Sequence, residues 1–161
     1  MLAMLEKIVK LARNKLLYNK KTISLAESCT GGLLASILTN KSGSSGYFLS
    51  GVVAYSDRSK EILLGIPAKT IAKYGAVSSN VAKLMAENIR KKTGADFGLS
   101  VSGIAGPTGA TKNKPVGTVF ICLSQKTKNI CLRFSFQGSR QYIQKKSAQQ
   151  ALRLLCAHLS Q

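Results

Sequence analysis

Along this chain the apolar pattern changes period repeatedly. Short runs with no helical period, such as "TISLAES" (22–28) and "DFGLSVS" (96–102), alternate with stretches whose apolar residues recur every three to four positions. Strands alternating with helices pack as layers, an α/β fold on a mixed, mostly parallel sheet. A first helix is expected over 2–18, with Leu5, Ile8, Val9, Ala12 and Leu16 on its inner face. After the strand at 22–28 come a helix over 31–40, a polar loop "KSGSSG" and a second strand within 47–56. Ser56 caps a helix over 57–64 that Gly65 ends, and a shorter helix over 67–74 stops at Gly75. Ser78 or Ser79 caps the next, 80–92, which Gly94 closes. The third strand runs into a glycine-rich loop, 103–117. Strands 118–124 and 130–136 then form an antiparallel hairpin about "QKTKN". A helix over 140–159 follows, with Ile143, Ser147, Ala151, Leu154 and Leu155 on one face. With no linker or repeat, residues 1–161 read as one domain.

The chain has 161 residues, enough for a sizeable core. No run of about 18 apolar residues occurs, and the basic, amphipathic start lacks the apolar centre of a signal peptide. The expectation is a cytoplasmic protein without a membrane span. With 24 Lys and Arg against 6 Asp and Glu, the formal charge is +18. Such a charge suits nucleic acid, an anionic membrane or a phosphorylated substrate. The lysines are spread over nearly every segment and no RNP motif is present, which favours a solvated basic surface over a dedicated nucleic-acid binder. The four cysteines, Cys29, Cys122, Cys131 and Cys156, form no Cys-x-x-Cys pair and no finger spacing with the lone His158. No metal site is expected. Cys122, Cys131 and Cys156 lie in apolar runs and read as reduced, small hydrophobes; His158 reads as a surface residue.

"LAESCTGGLLA" (25–35) places Ser28 where a strand turns into a helix. Helix-start amides point outward and carry partial positive charge, suited to an anion or to the oxyanion of acyl transfer. Ser28 and Thr30 equally suit a plain helix cap. Gly31 and Gly32 leave room for a substrate to reach the backbone. A serine nucleophile needs a base, and with one histidine far along the chain a lysine is the remaining candidate. Lys60 follows an apolar strand within the first turn of a helix, where the macrodipole disfavours a cation. Tyr55, at that strand's end, could hydrogen-bond Lys60 or relay its proton. A solvated surface lysine is the bland alternative. "SGIAGPTG" (102–109) is a strand end that could line a pocket with backbone amides. Neither the penicillin-binding boxes, the phosphate loop nor the dinucleotide fingerprint registers on the sequence.

Taken together, "LAESCTGGLLA", "GVVAYSDRSKEILLGI", "GAVSSNVAKLMAENI", "SGIAGPTG", "KPVGTVF" and "FQGSRQ" resemble, in order, the C-terminal domain family of the competence-and-damage-inducible protein CinA, over roughly residues 3–160. The resemblance implies an α/β/α fold, a homodimer, and hydrolysis of nicotinamide mononucleotide to nicotinate mononucleotide and ammonia, with no cofactor. It implies Ser28 as nucleophile, Lys60 as base and Tyr55 as its assistant. Substrate contacts are implied at Cys29, Thr30, Gly31 and Gly32, along Gly103, Ile104, Ala105, Gly106 and Pro107, and at Arg140 as phosphate partner. Ala110 and Ser139 depart from the family pattern, which has a glycine and an acidic residue there. The pyrophosphatase-associated N-terminal domain of full-length CinA is not among the matching segments. Two rival readings stand beside this one: a cysteine amidase using Cys29, and a basic binding module without catalysis.

Overall fold

The computed structural model describes residues 2–159. In chain order the elements are α1 (Leu2–Tyr18), β1 (Ile23–Glu27), α2 (Leu33–Thr39), β2 (Phe48–Val53), α3 (Asp57–Leu64), α4 (Ala68–Tyr74), α5 (Ser79–Thr93), β3 (Phe97–Gly103), β4 (Thr118–Ser124), β5 (Asn129–Ser135) and α6 (Arg140–His158). A single 3-10 turn, Ser44–Gly46, lies in the segment expected as polar loop. None of the described helices is long and apolar enough to cross a membrane.

The five strands form one sheet in the order β2-β1-β3-β4-β5. β1 pairs in parallel with β2 and β3, whereas β4 runs antiparallel to both its neighbours. Four strands therefore point one way and β4 alone the other. Side-chain size separates the two faces. Ile23, Leu25, Phe97, Leu99, Val101, Val119, Ile121 and Leu123 alternate onto one face, under α1, α2 and α6. The opposite face is lined by small residues, among them Ala26, Gly98, Ser100, Ser102 and Cys122, and α3, α4 and α5 cover it. Small side chains let α5 sit close. A Cβ on Gly98 would run into the Ala86 carbonyl, while Ser100 and Ser102 donate to the Ala82 and Ala76 carbonyls at 2.6 and 2.8 Å. The result is an α/β/α sandwich.

The hairpin register corrects the expectation for two cysteines. Ser124 pairs with Asn129, a loop one residue tighter than "QKTKN" suggests, so Cys122 lies directly opposite Cys131. The two form a disulfide, and Cys29 and Cys156 remain free and buried.

From β1 the chain moves out to β2 over one face and returns to β3 over the other, so it reverses direction between β1 and β3. Ligands of open α/β sheets gather at the carboxyl ends of strands at such a switch point. There β1 ends at Glu27, with Ser28 next in the chain, and β3 runs into the loop from Gly103. The Ser28 amide donates to the Val101 carbonyl at 2.9 Å, tying the two strand ends together.

Candidate active site

The turn 28–32 is tight because Gly31 (φ 62°) and Gly32 (φ 96°) take left-handed conformations that side chains disfavour. It buries Ser28, which is 8% exposed, Cys29 and Thr30. Ser28 Oγ makes no hydrogen bond within the described residues, and Thr30 Oγ1 is buried without a partner among them. The expected free helix start is not there. Glu27, 1% exposed, turns its carboxylate back onto α2: Gly32 N and Leu34 N donate to Oε2 at 3.1 Å and Ala35 N to Oε1 at 2.8 Å. Leu33 N is held by the Thr30 carbonyl and Gly31 N by that of Ser28. A buried carboxylate requires such donors, so the α2 amides are saturated. The amides of Cys29 and Thr30 are the ones in this turn that meet no carbonyl or carboxylate oxygen among the described residues.

Lys60 is not a surface lysine. It is 1% exposed, and burial pushes its ammonium below the ordinary lysine range, with Asp57 at 3.9 Å and Cys29 acting against that shift. Its Nζ donates to the carbonyl oxygens of Tyr55 at 3.1 Å and Ser56 at 3.4 Å. The position follows from local structure: Ser56 caps α3 through Ser59 N, and Lys60 points back along the first turn. Tyr55 meets Lys60 through its backbone carbonyl and not through its phenol. Its phenol is not bonded to Lys60; it is 56% exposed and accepts from Arg140 Nη2 at 2.6 Å.

Arg140 opens α6, with Ser139 as cap accepting from Tyr142 N. Its Nη1 donates to the Gly106 carbonyl at 2.8 Å, so the guanidinium bridges the 103–107 loop and Tyr55. Ser139 thus keeps the helix start where the family has an acid, and Arg140 takes its orientation from these two partners. Within the loop, Ile104 and Ala105 are buried and Pro107 is exposed after a cis peptide. Gly103 and Gly106 serve the loop's own packing: a Cβ would press on Val119 at 2.7 Å and on Val116 at 2.6 Å respectively. Ala110 lies exposed beyond it, before a small Thr111–Lys114 bridge.

Ser28, Lys60 and Arg140 thus gather at one pole of the sheet, around Cys29. The Cys29 thiol records the company: burial pushes it up to about 12, against the lowering fields of Arg140 and Lys60. A thiol held that far from ionisation is a poor nucleophile. Ser28 Oγ and Lys60 Nζ are not hydrogen-bonded to each other. Two residues that sequence reasoning passed over complete the arrangement. Glu27 reads as the end of a strand, and its only signal is a charge closing a fully buried run. Gln144, on α6, donates Nε2 to the Cys29 carbonyl at 2.9 Å across 115 residues of chain, a pairing without a local signal.

Fold and site together define a class: a three-layer α/β domain that presents a serine turn and a buried lysine at the switch point of a mixed sheet. The chain belongs to the CinA C-terminal domain family, whose sequence model matches residues 5–159. The CinA-like protein of Thermotoga neapolitana is 46% identical over 156 residues, 97% of this chain and 38% of that protein. That of Endomicrobium trichonymphae is 48% identical over 148 residues, 92% of this chain and 35% of its own length. The chain thus spans little more than a third of these relatives. A CinA superfamily protein of Klebsiella pneumoniae superposes with a TM-score of 0.93 at 29% identity, covering 96% of this chain and 97% of that one. The competence/damage-inducible protein of Agrobacterium tumefaciens gives 0.92 at 32%, covering 96% and 94%.

Proposed function

We propose that this protein hydrolyses the carboxamide of nicotinamide mononucleotide, releasing nicotinate mononucleotide and ammonia, with Ser28 as nucleophile and Lys60 as base. The observation that carries the reading is Lys60 itself: a lysine sealed beside a serine turn, its charged form disfavoured by burial. A neutral amine has two hydrogens, and the Tyr55 and Ser56 carbonyls are placed to take both. The lone pair is then free to accept a proton. Ser28 Oγ attacks the amide carbon, Lys60 takes the hydroxyl proton, and the same proton leaves on ammonia; water then cleaves the acyl-serine by the reverse sequence. Serine and lysine need to close on one another only in the substrate complex, since catalytic hydrogen bonds are commonly loose without substrate. Arg140, with donors remaining beyond Gly106 and Tyr55, is the candidate partner for the phosphate.

The test is ammonia release from nicotinamide mononucleotide by wild type, Ser28→Ala and Lys60→Met. Turnover by wild type alone is expected. An active Ser28→Ala protein refutes the nucleophile, and an inactive wild type that binds DNA or RNA with steep salt dependence favours the binding module instead.

A further inference from the structure

With the α2 amides occupied by Glu27, the N–H groups in the turn that meet no oxygen are those of Cys29, which faces its own sulfur, and Thr30, which is the donor left for an oxyanion at Ser28. The Thr30 N–H belongs to the same peptide unit as the Cys29 carbonyl. That peptide is trans, so its N–H and C=O point in opposite directions, and whatever fixes the carbonyl aims the amide. The group that fixes it is the Gln144 carboxamide, whose Nε2 end alone can donate to a carbonyl. Gln144 lies one helical turn after Arg140, so adjacent positions on α6 grip the serine turn and the Tyr55–Gly106 pair.

We infer that Gln144 is a positioning residue of the oxyanion site: by holding the Cys29 carbonyl, it points the Thr30 amide at the carboxamide oxygen. A hydrogen bond to the carbonyl end of a peptide also polarises its N–H, which strengthens the bond that amide gives. This inference rests on reading the site as a serine amidase. Its gain is made only as charge develops on the substrate oxygen, so it belongs to kcat and not to substrate binding.

Two variants separate this role from a merely structural one. Gln144→Met keeps the side chain's length and removes the donor; Gln144→Glu sets an acceptor against the Cys29 carbonyl. Deleting an oxyanion donor outright costs roughly 100- to 1,000-fold in kcat, and misaiming one costs less. With nicotinamide mononucleotide, kcat is expected to fall about 10- to 100-fold in Gln144→Met and further in Gln144→Glu, with KM within about twofold. An unchanged kcat in Gln144→Met, or a loss carried by KM alone, overturns the inference. The amide resonance of Thr30, read by NMR without substrate, supplies the second arm. It should shift in Gln144→Met while α6 amides beyond Ala148 stay in place, and a Thr30 resonance that does not move also overturns the role. Wild type without turnover would refute the amidase reading, and the Thr30 resonance would then decide the positioning on its own. Should Gln144→Glu fail to fold, Gln144→Met decides both arms.

Discussion

Replacing Asp57 by Asn tests whether Lys60 is the base and whether burial sets its proton affinity. Asp57 Oδ1 lies 3.9 Å from Lys60 Nζ, and its side chain is 61% exposed while that of Lys60 is 2% exposed. Water screens such a pair strongly, so the dielectric of water is the fair limit, and two unit charges at this distance then interact by about 1 kcal/mol. One pKa unit corresponds to about 1.4 kcal/mol, so losing the carboxylate should lower the Lys60 pKa further by roughly 0.8 units. The sign is fixed: the carboxylate favours the ammonium, burial opposes it, and removing the carboxylate leaves burial unopposed by its main counterweight. A base that must be neutral gains activity as pH rises through its pKa. The acid limb of kcat/KM for ammonia release should therefore move to lower pH in Asp57→Asn, by up to about 0.8 units at low salt. Added salt should narrow the gap between wild type and variant, since it screens an exposed partner. The fold should tolerate the change, because Asp57 stands in the first turn of α3 and its charge there contributes only about 0.3–1 kcal/mol. A limb that stays in place, or moves to higher pH, refutes Lys60 as the titrating group.

Glu27→Gln replaces two acceptor oxygens by one. Gly32 and Leu34 share Oε2 and Ala35 uses Oε1, so at least one helix-start amide faces an NH2 group, at about 1–3 kcal/mol. For a domain of this size that lowers the thermal midpoint by several degrees, at about 2–4 °C per kcal/mol; an unchanged midpoint would mean that the α2 amides find other partners. In denaturant without reductant, Cys29 and Cys156 should be the two thiols that react, and four would refute the Cys122–Cys131 pairing. In the folded protein a Cys29 thiol near 12 is roughly one ten-thousandth thiolate at mildly alkaline pH, so iodoacetamide should leave the activity intact. Rapid inactivation with alkylated Cys29 would return the sulfur to the mechanism.

The elements were legible in the sequence wherever a cap or a period marked them. Ser56 and Ser78 accept from Ser59 N and Val81 N, and glycines stop α3 and α5 where the pattern ends. The hairpin shows the limit of such reasoning. Reading the turn one residue long sets Cys122 opposite Leu132, and a single-residue slip turns every side chain of a strand to the other face. The disulfide is hidden by that one residue. At the site, Ser28 and Lys60 stood out through local context, a strand-to-helix turn and a cation at a helix start. Their partners did not. Glu27 acts through backbone amides five to eight residues ahead, Gln144 acts on a segment that only the finished sheet brings near, and Arg140 is legible only through the family resemblance. The expected neighbour of Tyr55, Lys60, meets its backbone carbonyl, while its phenol serves Arg140, a division that the sequence does not mark.

The capping of α2 by Glu27 also bears on how such a site empties. Amide hydrolysis leaves a carboxylate where a neutral carboxamide entered. An open helix start would bind that anion more tightly than the substrate it replaced, and each turnover would end in inhibition by its own product. In this protein the positive end of α2 already holds a carboxylate, one that belongs to the chain. A newly formed acid beside Ser28 meets the negative charge of Glu27 behind the turn and no vacant helix end to retain it. For a hydrolase of the proposed kind, Glu27 works as a built-in product mimic, filling the helix start that would otherwise retain the newly formed acid.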